Sequence, residues 1–143
     1  MIQNSAAWKL DHVGIAVRDL EQALALYTRT AGTSVTLREA LPSQGVELAF
    51  LNTGATKIEL LAPLNQTCTL ARFLDKRGPG LHHVCYAVSN IVSELARLSS
   101  KQGCTLIDSE PRHGAGGTLI AFIHPSSFDG VLTELCQYPD SAR

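Results

Sequence analysis

The sequence predicts an α+β fold built from two β-α-β-β-β units, on three observations. Leu10-Asp11-His12-Val13-Gly14-Ile15-Ala16-Val17 recurs 71 residues later as Leu81-His82-His83-Val84-Cys85-Tyr86-Ala87-Val88, with five of eight positions identical. Gly32 and Gly103, each placed to end the helix after that strand, are also 71 apart. Ala49-Phe50 and Ala121-Phe122 match within the later apolar runs. One helix on a four-stranded sheet leaves the other sheet face bare. The two units are therefore expected to form one curved eight-stranded sheet around a shared cleft, with the helices outside.

Each element has a local reason. In the first strand His12, Gly14 and Ala16 share one face and Val13, Ile15 and Val17 the other. The helix that follows is capped by Asp19, with Gln22 three residues on. Its buried stripe is Leu20, Ala23, Leu24 and Tyr27, and Gly32 ends it. Strand-like runs follow at 34–40, 46–52 and 56–62. Residues 67–77 read as a linker helix carrying Leu70, Phe73 and Leu74, closed by Gly78-Pro79-Gly80. The second unit repeats the plan. His83, Cys85 and Ala87 share a face backed by Val84, Tyr86 and Val88, and Ser89 or Asn90 caps a helix with stripe Ile91, Leu95 and Leu98. Its remaining strands are expected at 105–109, 117–124 and 131–137. The chain thus reads as a single domain over 1–143: repeat one at 9–62, the linker helix, and repeat two at 80–138. Only the last few residues read as disordered.

Composition narrows the function. A chain of 143 residues, 45% hydrophobic and 17% charged, can bury a sizeable core. The formal net charge is −1 with no basic block, which argues against nucleic-acid binding. No apolar run reaches the roughly 18 residues of a membrane span, and Met1 to Lys9 lacks the charged and apolar regions of a signal peptide. The four cysteines, Cys68, Cys85, Cys104 and Cys136, form no CxxC pair and read as reduced thiols of a cytoplasmic protein.

The repeat also selects the chemistry. Each His-bearing strand is followed by a glutamate within an apolar run, Glu59 in Ile58-Glu59-Leu60-Leu61 and Glu134 in Leu132-Thr133-Glu134-Leu135. An ionised carboxylate buried among apolar neighbours is costly unless paired, and a cation shared by both copies resolves the cost for both. His12, Glu59, His83 and Glu134 offer two imidazoles and two carboxylates without thiolate. That set suits one divalent ion, Co²⁺, Ni²⁺, Mn²⁺, Fe²⁺ or Zn²⁺, with coordination positions left for water or substrate. The shared cleft is thus expected to be metal-centred. His82 alternates to the opposite face and reads as structural. His124, before Pro125, reads as a hydrogen-bonding strut at a strand end. His113 lies in the loop Pro111-Arg112-His113-Gly114-Ala115-Gly116-Gly117, placed to touch a substrate.

Asp11-His12-Val13-Gly14-Ile15-Ala16-Val17, Gln44-Gly45-Val46, Ile58-Glu59-Leu60-Leu61-Ala62-Pro63-Leu64, Gly80-Leu81-His82-His83-Val84, Phe122-Ile123-His124-Pro125 and Gly130-Val131-Leu132-Thr133-Glu134-Leu135 cover nearly the whole chain. Together they resemble the methylmalonyl-CoA epimerase family of the vicinal oxygen chelate superfamily. The resemblance implies metal ligands at His12, Glu59, His83 and Glu134, with Co²⁺ the favoured ion. It implies an epimerase that inverts the α-carbon of methylmalonyl-CoA or a similar acyl-CoA thioester through a metal-stabilised enolate. Glu134 and Glu59 would serve as ligands and as bases. His113, Gly116 and Phe122 are the expected substrate contacts, and a homodimer the expected assembly. Some family members carry a further glutamate two residues after the Gly-Val pair, at Leu48 here. This chain has Glu47 one place earlier, a third candidate base that strand alternation sends to the other face. The family's lysine after His-Pro is Ser126 here. Two further readings of the same residues are a glyoxalase I-like lactoylglutathione lyase and a non-catalytic small-molecule binding protein of the resistance or sequestration kind.

Overall fold

The structure is a computed structural model that describes residues 8–140. Its strands and helices follow the order β1 (Lys9–Ala16), α1 (Leu20–Ala31), β2 (Val35–Leu41), β3 (Val46–Asn52), β4 (Lys57–Pro63), α2 (Thr69–Arg77), β5 (Gly80–Ala87), α3 (Ile91–Ser100), β6 (Arg112–His113), β7 (Leu119–Ile123) and β8 (Thr133–Gln137). This is the expected α+β plan of two β-α-β-β-β units. The chain divides into two compact units, one spanning His12–His83 and the other residues 8–11 with 84–140. Both boundaries fall inside strands, in β1 and β5, immediately beside the two repeat histidines.

In the His12–His83 unit the strands run β2-β3-β4-β1. β1 and β4 are parallel, with Gly14 opposite Glu59, and β3 and β4 are antiparallel, with Phe50 opposite Glu59. Asp19 caps α1 by accepting from the Gln22 amide at 3.0 Å, and Gly32 ends it in the left-handed region at φ 66°. Leu20, Ala23 and Leu24 of α1 pack on Ala49, Leu51, Leu60 and Ala62, with Ile15 and Tyr27 at the margin. The helix therefore covers one sheet face. Strand alternation sends His12, Phe50, Glu59 and Leu61 to the other. The linker helix α2 is capped by Cys68, whose Sγ accepts from the Ala71 amide at 3.4 Å. Its C-terminal turn is held by the Gly78 amide and the Arg18 guanidinium, both donating to the Leu74 carbonyl.

The other unit repeats this layout, with strand order β5-β8-β7-β6. β5 and β8 are parallel, with Cys85 opposite Glu134; β7 and β8 are antiparallel, with Phe122 opposite Glu134. Of the two caps expected for α3, Asn90 serves, accepting from the Ser93 amide at 3.1 Å. Ile91, Leu95 and Leu98 pack on Ala121, Ile123 and Leu135, joined by Trp8, Tyr86 and Phe128. On the face away from α3, Cys85, Ile120 and Cys136 form a second cluster with Ala87, Phe122 and Tyr138. Burial pushes the Cys85 thiol up, aided by its hydrogen bond with Cys136.

One expected strand is displaced. Residues 105–109 form only an isolated bridge, Leu106 to Ile123, and the edge strand is instead Arg112–His113. The cause lies at Asp108. The Ile107 and Asp108 amides both donate to the Phe122 carbonyl, and the Asp108 carboxylate accepts from the Phe122 amide at 2.8 Å. The side chain replaces a ladder acceptor and ends pairing there, and Pro111 has no amide with which to resume it. His113, expected in a loop, thus sits on a short strand opposite Leu119. The disordered C-terminal tail expected from sequence concerns residues outside those described. Among the described residues, no helix is long and apolar enough to cross a membrane.

Candidate metal centre

Three of the four repeat-selected residues meet within the His12–His83 unit. β1 carries His12, β4 carries Glu59 and the first half of β5 carries His83, each no more than 5% exposed. Glu59 Oε1 lies 3.3 Å from His12 Nε2 and 3.2 Å from His83 Nε2, and the two Nε2 atoms are 3.3 Å apart. The rings stand nearly perpendicular, at 85°. Donors about 2.1 Å from one ion, at octahedral to tetrahedral angles, lie roughly 3.0–3.4 Å from one another. The observed triangle therefore fits a single divalent cation. Burial pushes the Glu59 carboxyl up, but hydrogen bonds from His12 and His83 and their charges outweigh it and hold it below the ordinary carboxylate range.

Several neighbours build this triangle. Gly14 lies opposite Glu59, and a Cβ placed there would sit 2.1 Å from His83 Cε1. The absence of a side chain at Gly14 is what admits the His83 ring. Phe50 meets His12 edge-on, with centroids 5.0 Å apart. His82, expected to be merely structural, brings its Nδ1 to 2.9 Å from His83 Nδ1 and stacks edge-on against Phe73 at 4.8 Å. The backbone alternates as expected, yet the ring reaches around to its neighbour. One of these two nitrogens must donate, so the pair fixes how His83 is oriented.

Glu134 belongs to the other unit, where it repeats the placement of Glu59. It is 5% exposed, lies opposite Cys85 on β5 as Glu59 lies opposite Gly14 on β1, and faces Phe122 on β7 as Glu59 faces Phe50 on β3. Within the His12–His83 unit, His12, Glu59 and His83 thus form a buried His/Glu set that could hold a metal ion.

The structure sorts the remaining candidates. β3 and β4 pair without interruption, so Leu48 shares a face with Phe50 while Glu47 shares the opposite one with Ala49 and Leu51. Leu48 is 1% exposed, and Glu47, opposite Ala62, is not brought to the His/Glu triangle. Phe122 is half-buried, with the Arg112 guanidinium 5.7 Å over its ring. Gly116 occupies a left-handed turn at φ 66° beside the exposed His113. His124 acts as a strut, its Nδ1 accepting from the Ser126 amide at 3.0 Å, with the Ser126 hydroxyl 2.8 Å away.

These features have clear relatives. The sequence matches the Glyoxalase/Bleomycin resistance protein/Dioxygenase superfamily over residues 11–122. The chain belongs to that superfamily, and within it to the epimerase-like isomerases. The ethylmalonyl-CoA/methylmalonyl-CoA epimerase of Cereibacter sphaeroides is 42% identical over 130 residues, covering 90% of this chain and 97% of its own. The crystal structure of methylmalonyl-CoA epimerase from Mycobacterium tuberculosis matches with TM-score 0.90 and 39% identity, over 99% of this chain and 96% of that one. A variant of Streptomyces coelicolor methylmalonyl-CoA epimerase, in complex with 2-nitronate-propionyl-CoA, matches with TM-score 0.87 and 33% identity, over 92% and 95% of the two chains.

Proposed function

We propose that this chain is a metal-dependent epimerase that inverts the α-carbon of methylmalonyl-CoA or a similar acyl-CoA thioester. The observation that carries the reading is the buried convergence of His12, Glu59 and His83 on one point, with Glu134 in the repeat-equivalent place. His12, Glu59, His83 and Glu134 would hold the ion, for which Co²⁺ is favoured and Ni²⁺, Mn²⁺ or Zn²⁺ are acceptable. When bound, a divalent ion supplies Lewis-acid stabilisation to the charge that develops on the thioester and carboxylate oxygens.

The protein's own groups do the rest. With Nε2 turned to an ion, His83 would keep its proton on Nδ1 and donate a hydrogen bond to His82 Nδ1, 2.9 Å away, which would hold the ring in place. Removing the α-proton from one face and returning a proton from the other needs two acid/base groups. On this reading Glu134 and Glu59 are the groups assigned to the two-sided transfer, and the placement of Glu47 on the face of β3 opposite Leu48 argues against its taking part. Phe122, Gly116 and His113 line the approach for the acyl group. The four cysteines are free, consistent with a reducing cytoplasm, where the chain acts as a homodimer.

Incubating the protein with methylmalonyl-CoA in deuterated water, with each of the four metals, tests the reading. Metal-dependent incorporation of one deuterium at the α-carbon is expected. Absence of exchange with every metal would overturn it.

A further inference from the structure

The sheet face that carries Glu134 continues into a different donor set. Two residues past Glu134, β8 presents Cys136; β5 presents Cys85, the strand partner of Glu134. Cys85 is fully buried and Cys136 is 3% exposed. The Asp11 carboxylate completes the group: one donor atom from each of Asp11, Cys85 and Cys136 lies within 4.8 Å of the others. Tyr138, just past the end of β8 and packed against the same cluster, donates its hydroxyl to Asp11 Oδ1 at 2.6 Å. All of these residues belong to the unit of residues 8–11 and 84–140. The first repeat holds Gly14 and Leu61 where the second has Cys85 and Cys136, so duplication alone does not account for the pair.

We propose that Asp11, Cys85 and Cys136 form a second cation site, one that takes a thiophilic divalent ion such as Zn²⁺ or Cd²⁺. Two thiolates and a carboxylate are the donors such ions prefer over Mg²⁺ or Mn²⁺. Donors about 2.3 Å from a tetrahedral ion sit roughly 3.8 Å apart. The observed spread closes around an ion with side-chain movements of about 1 Å at most. The Tyr138 hydroxyl orients Asp11 as an outer partner, as hydrogen-bonded groups commonly do for metal-binding carboxylates. Binding releases the two thiol protons to solvent, and no electron transfer is involved.

The test is titration of the full-length, reduced protein with Cd²⁺. The His/Glu centre has no sulfur, so ultraviolet thiolate-to-Cd²⁺ charge-transfer absorption excludes it, and removing Cys68 and Cys104 isolates the second site. The band is expected to saturate at one equivalent per chain, to survive the Cys68→Ser/Cys104→Ser double substitution and to vanish in Cys136→Ser. Tyr138→Phe should weaken binding about 10-fold or more. The cadmium NMR shift of the unsubstituted protein gives a readout that needs no variant, and coordination by two sulfurs is expected. A folded protein with no charge-transfer band, a band retained in Cys136→Ser, or a cadmium shift showing only nitrogen and oxygen donors would overturn the proposal.

Discussion

Substituting Gly14 by alanine should empty the metal centre while leaving every proposed ligand in the chain. Gly14 is mid-strand, and its backbone lies outside the left-handed region, so alanine meets no backbone penalty. The perturbation is purely steric. The new methyl carbon would lie 2.1 Å from Cε1, 2.4 Å from Nδ1 and 2.6 Å from Nε2 of His83. Carbon atoms rest about 3.5–4.0 Å apart, so the ring must retreat by roughly 1.5 Å. His83 Nε2 starts 3.2 Å from Glu59 Oε1 and 3.3 Å from His12 Nε2. A shift of that size takes it out of reach of an ion the other two could still hold. Overpacking of this kind costs about 1–3 kcal/mol of stability. Loss of an outer partner alone weakens metal binding about 10–100-fold, so loss of a ligand should exceed the upper figure. Calorimetric titration with Co²⁺ measures the affinity, and circular dichroism verifies the fold. A folded Gly14→Ala protein that binds Co²⁺ as tightly as the parent would refute the reasoning.

Three further outcomes follow from the same geometry. In metal-free protein Glu59 is the buried carboxylate that His12 and His83 contact at 3.3 and 3.2 Å, and Glu59→Gln should cost about 3–5 kcal/mol, as breaking a buried pair does, read from urea unfolding. Because Glu59 is held below the ordinary carboxylate range, its contribution is present above that range and lost as pH falls through its lowered folded value; Glu59→Gln should abolish that acid limb. Leu51, fully buried beneath α1, should cost about 2–5 kcal/mol on truncation to alanine, with the urea midpoint falling and the slope unchanged. Glu94 is held low by its hydrogen bonds from Arg97, against burial, and also accepts from the Trp8 indole at 2.6 Å. The stability it adds is likewise present above the ordinary carboxylate range and lost as pH falls through its lowered value. Trp8 is the sole tryptophan, so its fluorescence should show an acid transition below that range, absent in Glu94→Gln.

Local signals and the repeat made much of this molecule legible in the sequence. Asp19, Asn90 and Gly32 announced the helix ends because capping depends on near neighbours. The repeated histidine strand marked β1 and β5, and the glutamate after each copy marked the parallel partner of each. What stayed hidden depends on contacts distant in sequence or on how far a side chain reaches. The edge strand moved to Arg112–His113 because the Asp108 carboxylate intercepts an amide from β7, a contact without a periodic signature. In the sequence Gly14 shows only as a residue on the His12 face; its role emerges when the His83 ring is seen to occupy the missing methyl's place. Cys85 and Cys136 read as separate core thiols until the parallel β5/β8 register set them side by side. Strand alternation governs where the Cβ of His82 points and not where its ring nitrogen ends, 2.9 Å from His83 Nδ1.

Both copies of the repeat are held to donate a histidine and a glutamate to one ion. Anomalous diffraction from crystals of the Co²⁺-loaded protein tests this directly. The predicted result is a cobalt peak bonded to His12 Nε2, His83 Nε2 and carboxylate oxygens of Glu59 and Glu134, with open positions left for substrate. A cobalt ion bound without Glu134, or no cobalt among these residues, would contradict it.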